Sequence, residues 1–261
     1  MEPNAELLSR EDLTSELAVF RIKPIDWELP EFMPGQYGEL ALPHIVSVQA
    51  PGEKVIRRSY SIASRGNSKD ELEFYIVCVQ GGALTPHLWK LTPGDKLWLG
   101  PKIKGKFTLE EVPPGSDVVM VATGTGLAPF LSMLRTHAEN PPWHRLVIVH
   151  GARIAADLGY REELENAQKK YPWFRYLPAL TRHDPASGIV WDGLQGRVQT
   201  LFSNGHVSEA LGCPISKDRT HVMLCGNPQM IDDIEGLLAA EHGLLPHKKK
   251  TPGNIHVERY W

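Results

Sequence analysis

"VATGTGLAPF", residues 121–130, carries an apolar strand into a helix through two glycines. The run "DVVMVAT" (117–123) is apolar and β-branched and reads as a strand. "APFLSMLRTHAEN" (128–140) reads as a helix, with Pro129 in its first turn, where the missing N–H costs nothing. A strand feeding a helix through a short turn is the start of a crossover, and crossovers join parallel strands. Downstream the alternation continues. "RLVIVHGA" (145–152), "FRYLPALTR" (174–182) and "HVMLCG" (221–226) read as strands, and "AADLGYREELENAQKK" (155–170) and "PQMIDDIEGLLAAEHG" (228–243) as helices. Continuous apolar strands of this kind belong to a parallel sheet covered on both faces.

Upstream the texture differs, and the change falls at "EEVPPGSD" (110–117), whose Pro-Pro-Gly core reads as a linker. The segments "ELAVFRI" (16–22), "YGELAL" (37–42), "KVIRRSYSIAS" (54–64), "LEFYIVCV" (72–79) and "DKLWLG" (95–100) are rich in β-branched and aromatic residues. Turn signals separate them at regular spacing, which favours a barrel or sandwich. "LTPHLWKL" (84–91) has helical spacing and predicts one short helix after Gly82. The expected organisation is a β domain over residues 1–112 and an α/β domain over 113–261.

Composition narrows the function. With 28 Lys+Arg against 31 Asp+Glu, the net charge is -3, a poor match to nucleic acid. No apolar run approaches the roughly 20 residues that span a bilayer. The start, "MEPNAELLSRED", lacks the basic and apolar stretches of a secretory signal. Cys78, Cys213 and Cys225 lie far apart, which argues against a disulfide framework and a zinc ribbon, and are too few for a plant-type iron–sulfur cluster. A reducing compartment, the cytoplasm, is expected. "HKKK" (247–250) is the one charge run and reads as a solvated turn, or else as a docking patch for an acidic partner.

Candidate ligand residues gather at the predicted strand ends. Gly124 and Gly126 form either a tight turn or a cradle for a phosphate at the helix N-terminus. "MLCGNPQMI" (223–231) again runs strand, glycine, proline. Cys225 there is either a small buried hydrophobe or a residue at the ligand edge, since open parallel sheets collect ligands beyond the C-terminal ends of their strands. Arg153 and Arg182 follow strand ends and Arg197 lies in "LQGR". Singly each reads as a surface residue; jointly they suit a 2′-phosphate, favouring NADP over NAD. In "RRSYSIAS" (57–64) adjacent cations precede an aromatic ring and small hydroxyls, an arrangement suited to something flat and anionic.

Taken in order, "RRSYS", "GTGLAPFLSML", "HVMLCGNPQM" and "HVERYW" resemble the bacterial ferredoxin (flavodoxin)–NADP+ reductases over nearly the whole chain. The resemblance implies a six-stranded antiparallel FAD-binding barrel followed by a parallel-sheet NADP-binding domain. It implies that Arg58 pairs with the FAD pyrophosphate, that Tyr60 stacks on the isoalloxazine between Ser59 and Ser61, and that the Ser61 hydroxyl sits near flavin N5. Tyr75, Ile76 and Val77 would run beside the flavin. Gly82, Ala83, Leu84 and Thr85 would open a short helix whose N–H groups and Thr85 hydroxyl bind the pyrophosphate. Thr123, Gly124 and Gly126 would lie under the NADP pyrophosphate and nicotinamide, with Cys225 and Gly226 flanking the nicotinamide. Arg153, Arg182 and Arg197 match the family's NADP-phosphate contacts, and Glu258 its carboxylate near the flavin, a proton relay through Ser61. At the C-terminus Tyr260 takes the stacking place and Trp261 a place on the FAD adenine; the alternative is a core plug.

The implied activity is hydride transfer from NADPH to FAD, followed by single-electron transfer to ferredoxin or flavodoxin. A basic rim of Arg57, Arg65, Lys102, Lys104, Lys106 and the "HKKK" turn would steer such acidic partners. Three rival readings stand beside this one: an NAD(P)H:flavin or quinone-type reductase, an electron-transfer subunit of a larger complex, and a non-catalytic flavin-binding module. A monomer is the default expectation.

Overall fold

The computed structural model describes residues 1–47, 54–182 and 190–259. Strand β1 (Ala5–Thr14) pairs antiparallel with β2 (Leu17–Pro24). β3 (Tyr37–Ser47), β4 (Lys54–Ser61), β5 (Leu72–Val77) and β6 (Lys96–Leu99) complete an antiparallel sheet in the order β4-β3-β6-β1-β2-β5. The two outer strands meet. Ile62 bridges Phe74, and the Ala63 amide donates to the Glu73 carbonyl at 2.8 Å. The sheet therefore closes into a six-stranded barrel, leaving no free hydrogen-bonding edge at that seam. Phe20, Ile22, Leu40, Phe74, Ile76, Leu97 and Leu99 fill its interior. The helix expected after Gly82 is α1 (Thr85–Leu88), a single turn that buries Leu88.

The parallel sheet contains β7 (Asp117–Thr123), β8 (Arg145–Ala152), β9 (Phe174–Leu180), β10 (Leu194–Gln195), β11 (Thr220–Gly226) and β12 (Ile255–Arg259). Their order is β10-β9-β8-β7-β11-β12, and every neighbouring pair runs parallel. The chain builds outward from β7 to β10 and then returns to the other side of β7. A ligand crevice opens where a strand order reverses in this way. Helices α2 (Ala128–His137), α3 (Arg161–Lys170), α4 (Thr200–Ser203), α5 (His206–Leu211) and α6 (Pro228–His242) connect the strands. The β7, β8 and β11 interiors are buried almost throughout, as their unbroken apolar runs require. Asn227 starts α6 by accepting from the Gln229 and Met230 amides at 2.8 and 3.3 Å, and Gly243, at φ +67°, ends it.

Two compact units result. The first is Met1–Thr108 with Ala128–Thr136, and the second is Leu109–Leu127 with the chain from His137 onward. Helix α2 follows β7 in sequence yet packs with the barrel. Ser132 donates to the Ser64 carbonyl at 2.6 Å, and Thr136 Oγ1 accepts from the Gly66 amide at 2.9 Å. Arg135 donates to the Ala63 carbonyl at 2.9 Å and to buried Glu73 at 2.6 Å.

In the second unit three imidazoles stack. His221 and His256 lie 5.4 Å apart at 28°, and His247 and His256 4.8 Å apart at 23°. His221 Nδ1 is 3.1 Å from His256 Nε2, and Glu111 lies 3.7 Å from His247 Nε2. Burial, reinforced by His221 and His247, pushes His256 down to about 4, and burial together with His247 lowers His221. Both rings are therefore held neutral in the fold, while the unfolded chain takes up their protons near the ordinary value of about 6.5. The unfolded state binds more protons below that pH, so stability falls as pH drops from about 6.5 to 4. The His256 share is expected to be about 2 to 3 kcal/mol. Urea midpoints measured at pH 7 and pH 4 check this: H256L should show a smaller acid loss than the parent, and equal losses would refute it.

Candidate functional site

Within the barrel, β4 presents the "RRSYS" stretch beside β3, with Leu40 opposite Arg58, Gly38 opposite Tyr60 and Tyr37 opposite Ser61. The strand alternation separates the two arginines. The Arg57 guanidinium lies over the Trp98 ring at 4.8 Å. Arg58 is exposed, donates to the Arg57 carbonyl at 2.8 Å, and has no carboxylate partner among the described residues. The Tyr60 ring packs against the barrel core, and its hydroxyl is buried with no hydrogen-bond partner among the described residues. Burial raises the phenol well above its ordinary value, with Arg58 opposing, so the hydroxyl stays a proton donor. Ser59 is exposed and Ser61 buried.

On β5, Tyr75 and Ile76 are buried and Val77 is half-buried. Gly82 has no room for a side chain, because a Cβ would stand 2.8 Å from the Val79 carbonyl. Ala83 is exposed and Leu84 buried. The Thr85 hydroxyl accepts from the Val79 amide at 3.0 Å and donates to the Val79 carbonyl at 3.4 Å. It closes the 79–85 loop, a local role that the sequence did not reveal.

In the second unit the ends of β7 and β11 interlock. A Cβ on Gly126 would overlap the Cys225 carbonyl. Gly226, at φ +134°, would drive a Cβ into Thr123, whose hydroxyl accepts from the Asn227 amide at 2.9 Å. Sequence reading pairs Gly124 with Gly126; the structure separates their roles. Gly126 lets two backbones touch, whereas Gly124, at φ +53°, has nothing within 4 Å on its Cβ side and faces open space. Cys225 is fully buried, directly across from Glu258 in the β11–β12 register, and its Sγ lies 4.0 Å from Glu258 Oε2. The two candidate groups, far apart in sequence, form one pair.

The arginines also come together by topology. β8 ends at Ala152, β9 at Leu180 and β10 at Gln195, and these parallel neighbours put Arg153, Arg182 and Arg197 just beyond one sheet edge. The Arg182 amide donates to the Arg153 carbonyl at 2.8 Å. All three side chains are exposed. Arg153 pairs with Asp157 at 3.0 Å. Hydrogen bonds from Gln229 and Gln199, with Arg197 nearby, lower the Asp233 carboxyl. No strand before Arg197 is legible in the sequence; the two-residue β10 is what sets it beside the others. Tyr260 and Trp261 lie outside the described residues.

An uncompensated guanidinium beside a buried, unpartnered phenol suits a flat nucleotide bearing a diphosphate. The open face at Gly124 with the arginine edge suits a second, phosphorylated one. Comparison with known proteins agrees. The oxidoreductase FAD-binding domain family matches residues 4–107 and the oxidoreductase NAD-binding domain family residues 120–236. The flavodoxin/ferredoxin–NADP reductases of Shigella flexneri and Escherichia coli (strain K12) are each 36% identical over 230 residues, covering 88% of this chain and 88% of the relative. A crystal structure of a ferredoxin NADP+ reductase from Neisseria gonorrhoeae with bound FAD and NADP superposes with a TM-score of 0.84 at 27% identity, covering 99% of this chain and 98% of that one. With this identity sustained across both units, the chain belongs to the flavodoxin/ferredoxin–NADP reductase family.

Proposed function

We propose that this FAD- and NADP-dependent oxidoreductase takes a hydride from NADPH and delivers the electrons singly and reversibly to a ferredoxin or a flavodoxin. The observation that carries the choice of NADPH is the row of Arg153, Arg182 and Arg197 beyond three adjacent strand ends. Guanidinium groups in such a row clamp a 2′-phosphate, a group that NADH lacks. Residues 1–112 form the flavin domain and 113–261 the dinucleotide domain in this reading.

The side chains divide the work. Arg58 neutralises the flavin pyrophosphate, and the Tyr60 ring covers one face of the isoalloxazine while its hydroxyl gains the partner it lacks. Ser59, Ser61 and residues Tyr75–Val77 line the flavin, and the Gly82–Thr85 loop, braced by Thr85, offers backbone amides to the diphosphate. Thr123 and Gly124 receive the NADP diphosphate. Cys225 and Gly226 border the nicotinamide, and Glu258, 4.0 Å from Cys225 Sγ, moves a proton in this reading. Tyr260 and Trp261 supply aromatic cover over the flavin and its adenine. FAD supplies the exchange between two-electron and one-electron chemistry.

Among the described residues no helix is long and apolar enough to cross a membrane. A cytoplasmic monomer that does not bind nucleic acid completes the reading, with Arg57, Arg65, Lys102, Lys104, Lys106 and the 247–250 turn steering an acidic protein partner. Lys104 is tied to Glu39 at 3.1 Å and Lys248–Lys250 are exposed, so the turn carries the freer charge. The test is anaerobic reduction of the flavin by NADPH and NADH. R182A and R197A should each raise the KM for NADPH about tenfold and leave that for NADH within about twofold. Equal use of both nucleotides by the parent would instead identify a general flavin or quinone-type reductase.

A further inference from the structure

His150 lies inside β8, opposite Ala122 of β7 and Pro178 of β9, and is wholly buried. A buried imidazole needs partners for both nitrogens. Nδ1 has one, the Tyr176 hydroxyl at 3.1 Å. Nε2 is buried with no partner at hydrogen-bonding geometry among the described residues. Gly124 follows two residues after Ala122, the register partner of His150, so its backbone comes beside the same ring. Gly124 thus has an imidazole on its sheet side and open space on the side where a Cβ would project. An apolar side chain would fill this slot without leaving a polar atom unpaired, so the choice of histidine points to a polar role.

We propose that His150 is a positioning residue for the nicotinamide dinucleotide: its Nε2–H holds the Gly124 backbone from within the sheet and so fixes the turn that receives the dinucleotide's phosphates. The inference rests on the reading of that turn given under the proposed function. Tyr176 sets the tautomer. In the proposed arrangement the hydroxyl, 3.1 Å from Nδ1, donates to it, which leaves the proton on Nε2. Burial keeps the ring uncharged at neutral pH, so it serves as a directed donor and not as a cation under the phosphates. A ligand that draws the Gly124 backbone into bonding distance of Nε2 gains that bond as well, so ligand affinity and that bond reinforce each other.

The experiment uses the flavin-loaded protein and titrates NADP+ by the flavin difference spectrum, alongside the KM and kcat for NADPH. H150F should raise the NADP+ Kd and the NADPH KM about tenfold, with kcat at saturation within about twofold and the flavin spectrum unchanged. H150Q, which keeps an N–H, should recover affinity to within about threefold of the parent, and Y176F should lose about threefold. Parental NADP+ affinity in H150F, or an H150Q no better than H150F, overturns the proposal and makes His150 a space-filling residue. Should H150F fail to fold, Y176F decides: an unchanged Kd overturns it. If R182A and R197A shift the NADPH KM while the His150 and Tyr176 variants do not, this inference alone fails. If none of them does, the dinucleotide reading fails with it.

Discussion

E73L should destabilise the barrel unit by about 3 to 5 kcal/mol. Glu73 sits on β5 with only 8% of its side chain exposed, and receives Arg135 at 2.6 Å and Arg21 at 2.9 Å. Arg135 is 19% exposed, so removing the carboxylate strands a nearly buried cation. Arg21, at 39%, can turn to solvent or toward Glu71 at 3.9 Å. The cost therefore arises mainly at Arg135. A second change, R135M, should restore much of the loss, because a buried pair replaced by apolar groups of similar volume is often neutral. Urea unfolding followed by flavin release measures both. A loss below about 1 kcal/mol for E73L would show that Arg135 finds solvent. The result matters beyond stability, since Arg135 also holds the Ala63 carbonyl, two residues after Ser61 at the end of β4, the strand proposed to hold the flavin.

G226A should abolish reduction by NADPH and cost about 3 kcal/mol or more. Two penalties coincide at this residue. Its φ of +134° disfavours any side chain, and the added Cβ would collide with Thr123. Relief requires β7 and β11 to part at their C-terminal ends, where Thr123, Gly124 and Cys225 lie. Bound flavin should survive, because the barrel is a separate unit. Flavin content and NADPH reduction, measured on one preparation, check this. Normal reduction by the variant would mean the two strand ends separate without disturbing the dinucleotide site. G124A, by contrast, meets open space and carries only the backbone penalty at φ +53°, and should be the milder change.

Helix α2 shows the difference between element and assignment. Its start at Ala128 follows from the glycine turn and Pro129. Its membership in the barrel unit comes from Ser132, Arg135 and Thr136 reaching barrel backbone and Glu73, which are long-range contacts that no local pattern announces. β1 escapes sequence reading for the opposite reason. "AELLSREDLT" has only Ala5 and Leu7 turned inward, its register shifts twice, and its charged remainder reads as a polar terminus. β10 and β12 escape as well. One is two residues long, and the other is a polar strand made regular by pairing with β11.

The candidate site residues are readable because each type is suited to one kind of work: the sequence shows fixed cations beside an aromatic ring in "RRSYS" and glycines at the ends of apolar strands. The alternation of apolar strand and helix determined the parallel sheet, and the spaced β-branched segments narrowed the first unit to a barrel or sandwich, because burial periodicity is local; the seam from Ile62 to Phe74 makes it a barrel. Tertiary structure decided the pairings. It set Cys225 against Glu258, lined three arginines along one edge, divided Gly124 from Gly126, tied the Thr85 hydroxyl to Val79, and paired His150 with Ala122, two residues before Gly124. Each depends on strand order and register, which arise only when distant segments share one core, and distance along the chain carries no record of that.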